Sequence, residues 1–169
     1  MNRKIAPAAK RAARTEKATF AAGCFWGVQA AFDKTPGVVK TTVGYCGGQI
    51  SRPTYEQVCS HASGHAESVE VEYDAKKTSY AKLLARFFEM HDPTQVDRQG
   101  PDVGNNYRSA IFFSDEKQKK EASAFISRLD RARRFPRPIA TRLEPLTTFW
   151  PAEDYHQKYY LKHDIACHV

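Results

Sequence analysis

The sequence has no run of about 18 uncharged apolar residues anywhere in its 169 positions, which excludes a transmembrane helix. Cysteine is scarce. Four in 169 residues exclude a disulfide-dense secreted scaffold. No apolar stretch of about 7–15 residues follows the first charges, so no secretory signal is expected and the cytoplasm is the expected compartment. Phosphate loops and dinucleotide fingerprints are missing too. Gly44, Gly47 and Gly48 are irregularly spaced, and no basic residue completes a Walker-type loop. A zinc site lacks its close cysteine pair: Cys46, Cys59, His61 and His65 have ligand-like spacing only in their second half. No metal or tightly bound cofactor is therefore expected.

What remains is 41% hydrophobic, 12% aromatic and 27% charged, the composition of one ordered domain. The net charge of +7 is uneven. Residues 1–17 hold Arg3, Lys4, Lys10, Arg11, Arg14 and Lys17 against Glu16 alone, leaving +2 for the rest. Aromatics are not interleaved with these charges, so a basic flexible tail is expected, with no nucleic acid or membrane partner. The second basic stretch, Arg128 to Arg137, reads as a solvated helix end and loop. A single catalytic domain is expected over 18–169, monomeric, with a mobile C-terminal tail.

Strand and helix patterns alternate along that domain. Residues 18–22 read as a buried strand and 25–34 as a helix with Phe25, Val28, Ala31 and Phe32 on one face. Residues 38–45 and 66–73 read as strands, and Thr54 to Val58 as one helical turn. Thr78 or Ser79 caps a helix with Leu83, Leu84, Phe87 and Phe88 inward. A strand over 107–113, a helix over 115–131 capped by Ser114, and a last strand over Ile139 to Leu143 follow. The order β-α-β-β-α-β predicts an α+β fold. Its expected form is a split βαβ, ferredoxin-like, two-layer sandwich with an extended C-terminal segment.

Three places carry chemistry. Cys24 stands where a strand meets a helix, behind Gly23. A thiol there faces free backbone N–H groups and the positive end of the helix dipole, which favour the thiolate. Phe25 and Trp26 follow it and cannot share a helix face, so at least one should line the space beside the sulfur as a wall for an apolar group. Glu67 alternates with Val69 and Val71, which puts a carboxyl on an apolar strand face. Burial would raise its pKa and suit it to general-acid work. The loop Gly100 to Ser109 is dense in hydrogen-bonding groups and brings Tyr107 to the mouth of a strand. Among the other thiols, Cys46 is flanked by glycines and expected to be accessible. Cys167 lies in the C-terminal tail, and Cys59 is expected in the core.

The segments Gly23-Cys24-Phe25-Trp26-Gly27, Val43-Gly44-Tyr45, Pro53-Thr54-Tyr55, Gly64-His65-Ala66-Glu67, His91-Asp92-Pro93-Thr94, Tyr107-Arg108-Ser109 and Ala152-Glu153-Asp154-Tyr155-His156-Gln157 together resemble the A-type peptide methionine sulfoxide reductases. The resemblance implies an α+β fold and roles position by position. Cys24 would attack the sulfoxide sulfur, with Phe25 and Trp26 walling in the ε-methyl group. Glu67 would protonate the sulfoxide oxygen, Tyr55 and Tyr107 would hydrogen-bond it, and Asp102 would bind the substrate backbone. A sulfenic acid on Cys24 would then condense with a second thiol, Cys167 before Cys46, and thioredoxin would reduce the disulfide. Selectivity for the S epimer is implied as well. A competing reading, a cysteine hydrolase, would need His156 as a base beside Cys24.

Overall fold

The computed structural model describes residues 14–166. The first part of the expected tail, and Cys167, lie outside the described residues. In chain order the elements are β1 (Thr15–Ala22), α1 (Phe25–Asp33), β2 (Val38–Cys46), α2 (Tyr55–Cys59), β3 (Ala66–Asp74) and α3 (Tyr80–Glu89). Then come a short hairpin, β4 (Arg98–Gln99) and β5 (Asp102–Val103), and a 3-10 turn over Asn105–Tyr107. The chain continues with β6 (Ser109–Phe113), α4 (Glu116–Arg131), β7 (Arg142–Pro145), β8 (Trp150–Pro151), a 3-10 turn over Asp154–His156 and α5 (Tyr159–Lys162).

Six strands form one mixed sheet in the order β7-β6-β1-β3-β2-β8. Every pair is antiparallel except β6 with β7. The fold is α+β, as the alternating patterns require. Side chains alternate across a strand, so each strand serves two clusters. On one face Phe20 stacks on Phe32 of α1 and Phe87 of α3, with centroids 5.3 and 5.2 Å apart. Val69, Val71, Leu83 and Leu84 complete that core. The opposite face carries a smaller cluster of Ala21, Cys46, Ala66, Ala110 and Phe112, covered by Leu146 and Phe149. Phe20 has no exposure and joins three elements, so Phe20→Ala should destabilise the protein by about 3–5 kcal/mol. Denaturant unfolding would read this directly, and a loss under about 1 kcal/mol would contradict the packing described.

Several boundaries differ from the sequence expectation. β1 starts at Thr15, so Glu16 and Lys17 belong to the sheet and not to the tail. Their side chains are held there: Lys17 Nζ donates to Glu70 and the Tyr73 hydroxyl donates to Glu16. Tyr107 sits in the 3-10 turn, and the following strand begins at Ser109. Asp115, not Ser114, caps α4, because its carboxylate accepts from the Gln118 amide at 2.7 Å. The last segment expected as strand, 139–143, pairs only from Arg142, where it joins β6 in parallel. β8 was not anticipated. Two residues give no periodicity to detect.

Candidate active site

The site is built at the N-terminus of α1. β1 ends at Ala22, and Gly23 turns the chain with φ +92°. A Cβ at Gly23 would lie 2.8 Å from Cβ of Gln99, so the turn also needs glycine's small size. Cys24 then occupies the N-cap of α1, partly exposed. The sulfur makes no capping hydrogen bond, but the backbone amides of Trp26 and Gly27 at the helix N-terminus favour its ionised form.

Glu67 lies one strand over, on β3, with only 2% of its surface exposed. Its Oε2 accepts from the Phe25 amide at 3.0 Å, so carboxyl and thiol are neighbours through one peptide unit. Burial dominates both groups. It drives the Glu67 carboxyl up to about 8, against the pull of the Phe25 amide and helped by the Asp102 carboxylate. It pushes the Cys24 thiol up to about 12, with Glu67 and Asp102 adding to the rise and the two amides opposing it. The thiolate expected from the helix dipole is therefore overridden in the free protein. Desolvation and two nearby carboxyls outweigh two amide contacts, and the site holds both its protons at neutral pH.

Two tyrosines feel the same carboxyl. Tyr107 is raised to about 12, first by burial and then by Glu67. Tyr55 is raised as well, by burial and by the Cys59 thiol. Tyr55 opens α2, whose start is fixed by a reciprocal cap between Thr54 and Gln57. Asp102 reaches the site from β5, close enough to act on Cys24, Glu67 and Tyr107.

The aromatic pair divides as helical spacing demands. Phe25 is 1% exposed and packs on Tyr45 and His156, with centroids 5.8 and 5.1 Å away. Trp26 is half-buried, stacked on Tyr159 at 3.8 Å, and its indole N–H donates to His156 Nδ1 at 2.9 Å. His156 is wholly buried between Phe25, Trp26, Tyr55 and Tyr155. Its other nitrogen lies 3.7 Å from Glu153 Oε2. Burial lowers its pKa. It serves the tryptophan, which removes it as the base a cysteine hydrolase would need.

Cys46 departs most from expectation. It is fully buried, and burial pushes its thiol up to about 12. On β2 it pairs with Ala66, while Tyr45 pairs with Glu67. Strand alternation thus turns Cys46 to the opposite face of the sheet from Glu67, and its flanking glycines do not expose it. Cys59 departs the other way. It is partly exposed, and its thiol feels the Tyr55 hydroxyl at the site instead of sitting in the core.

The family model "Peptide methionine sulfoxide reductase" matches residues 16–169. The chain belongs to the peptide methionine sulfoxide reductase family. Peptide methionine sulfoxide reductase MsrA of Acidobacterium capsulatum is 51% identical over 154 residues, covering 90% of this chain and 99% of that one. Reduced Mxr1 of Saccharomyces cerevisiae superposes with a TM-score of 0.86 at 33% identity, covering 94% of this chain and 92% of the other. Mxr1 in complex with Trx2 superposes at 0.63 with 26% identity, covering 92% of each chain. The reductase activity of the family, thiol-dependent conversion of methionine sulfoxide to methionine, is the activity of this protein.

The reductase also shows what sequence reasoning overlooked. His156 and Tyr159 hold Trp26 from two sides, and no sequence pattern marks His156 for that role. Tyr55 and Asp102 came from resemblance alone. The capping pattern Thr54-x-x-Gln57 marked the start of the helix on which Tyr55 is the first residue, and could have drawn attention to it.

Proposed function

We propose that Cys24 is the nucleophile and Glu67 the proton donor in reduction of methionine S-sulfoxide, free or peptide-bound. The observation that carries this reading is a buried carboxyl, its pKa pushed up by that burial, one peptide unit from the only thiol at a helix N-cap among the described residues. A sulfoxide oxygen is a poor leaving group until it is protonated. Glu67 gives it a proton as the Cys24 sulfur bonds to the substrate sulfur, and the carboxylate left behind can take the thiol proton. The oxygen passes to Cys24, which becomes a sulfenic acid, and methionine leaves. Tyr55 and Tyr107 hydrogen-bond the oxygen where charge develops. Trp26 lines the methyl pocket, with Phe25 as its buried floor, and Asp102 binds the substrate backbone.

The sulfenic acid then condenses with the thiol of Cys167, forming a disulfide and releasing water. Burial of Cys46 on the far side of the sheet favours Cys167 over it. Thioredoxin returns the disulfide to two thiols; the crystallised pairing of Mxr1 with Trx2 supports that reductant. We also read the sheet as a split βαβ arrangement, because β6-β1-β3-β2 run antiparallel in that order with α1 and α3 as the two crossovers.

A pair of measurements tests the reading. Cys167→Ser should release about one methionine per enzyme and then stall with thioredoxin, with dithiothreitol partly restoring turnover. Peptide mapping after one wild-type turnover should find Cys24 joined to Cys167. A Cys24–Cys46 or Cys24–Cys59 bridge, with normal cycling of Cys167→Ser, would assign the resolving role elsewhere.

A further inference from the structure

Outside the residues already given roles, the contact that bears most directly on the site comes from the loop between α2 and β3. His61 adopts φ +63°, a left-handed conformation that strains any residue with a Cβ. Glycine would suit that backbone better, so the imidazole is retained at a cost. The His61 amide donates to the Val58 carbonyl at 3.1 Å, and its ring and carbonyl reach the turn that carries Tyr107. His61 Nδ1 lies 2.8 Å from Asn106 Oδ1, an acceptor, so Nδ1 carries the hydrogen. The His61 carbonyl accepts from Asn105 Nδ2 at 3.1 Å. The ring presses on Gly104, where a Cβ would stand 2.3 Å from His61 Cε1. That glycine has φ +143° and accepts from the Tyr107 amide at 3.0 Å, closing the turn. Asn106 is fully buried, takes its side-chain hydrogen bond from His61, and directly precedes Tyr107 in the same 3-10 turn. One strained residue thus touches three consecutive residues, 104 to 106, more than forty positions away, and the next residue bears the hydroxyl.

We propose that His61 is a positioning residue: by latching Gly104, Asn105 and Asn106, it fixes where the Tyr107 hydroxyl stands in the site. This rests on the reading that Tyr107 hydrogen-bonds the sulfoxide oxygen. Small displacements of such a group are expensive, since misplacement by about 1 Å can cost about 10²-fold in rate. Loss of one latch should move the hydroxyl by less.

The test compares first-turnover methionine release from a methionine sulfoxide peptide in His61→Gly, His61→Asn, Tyr107→Phe and the His61→Gly/Tyr107→Phe double variant, each with its melting temperature. His61→Gly relieves the backbone, so its melting temperature should hold or rise. Its first turnover should slow about tenfold all the same, a latch being worth roughly one hydrogen bond. His61→Asn, which tolerates the left-handed conformation and still offers an amide donor, should recover most of the rate. The double variant should be no slower than Tyr107→Phe, because His61 acts through that hydroxyl. Multiplying losses, or a His61→Gly variant at the wild-type rate beside a slow Tyr107→Phe, overturns the proposal and leaves the Tyr107 role standing. A Tyr107→Phe variant at the wild-type rate overturns both. Should His61→Gly fold poorly, Asn106→Ala removes the same bond from the other side, and a wild-type rate there equally overturns the proposal.

Discussion

Cys24→Ser should form no methionine above background, in the first turnover or later, with thioredoxin or dithiothreitol. A serine hydroxyl does not ionise near neutral pH, and its oxygen is a weaker nucleophile than sulfur. The site makes matters worse for it. The burial and carboxyls that hold the Cys24 thiol up near 12 would oppose an alkoxide even more strongly. Quenched single-turnover assays of both sulfoxide epimers would measure this. A burst approaching one methionine per Cys24→Ser enzyme would remove Cys24 from the chemistry. Equal wild-type rates on the two epimers would remove the stereochemical part of the reading.

The second large effect belongs to Glu67. Glu67→Gln keeps the shape and can still accept from the Phe25 amide, but it cannot donate an acid proton. Losing a general acid typically costs about 10²–10⁴-fold. The pH dependence separates proton donation from mere shape. The protonated carboxyl is the active form and persists up to about pH 8, so the wild-type sulfoxide step should decline as pH rises through about 8. The glutamine variant should be slow on both sides and lack that decline. Stability moves in a linked direction. The folded pKa is raised above the unfolded value of about 4.3, so the folded state binds this proton more tightly, and its stability falls as pH climbs between the two values. Glutamine has no such proton, so the melting temperature of Glu67→Gln relative to wild type should rise from pH 6 to pH 9. Equal sulfoxide rates for the two proteins at pH 6 would show that Glu67 is structural only.

How much of this was legible beforehand depends on which force decided each residue. Alternation over 66–73 placed Glu67 inward with Val69 and Val71, and the structure agrees, because a strand's period of two is strict. The helix face of Phe25, Val28, Ala31 and Phe32 was legible for the same reason at a period of 3.6. Cys46 was misjudged because flanking glycines suggest exposure, whereas its parity with Ala66 commits it to the far cluster. That parity could be counted only once the pairing of β2 with β3 was known. Cys59 was misjudged because five helical residues are too few to reveal a face. The acidity of Cys24 was misjudged for a different reason. The helix terminus is a local signal, whereas the desolvation and the carboxyls on β3 and β5 are supplied by distant parts of the chain. Asp102, on a two-residue strand, left no pattern at all.

The placement of Glu67 has a consequence for heat. β3 is an interior strand, hydrogen-bonded to β1 on one side and β2 on the other, and Cys24 follows directly from β1 and its turn. The separation of acid and sulfur is therefore set by the ladder of the sheet and not by a loop that can open alone. Local openings draw on weakly packed edges, while central strands yield only with the whole molecule. The reacting pair should stay in register up to the melting transition, so sulfoxide reduction ought to survive warming until the protein as a whole gives way.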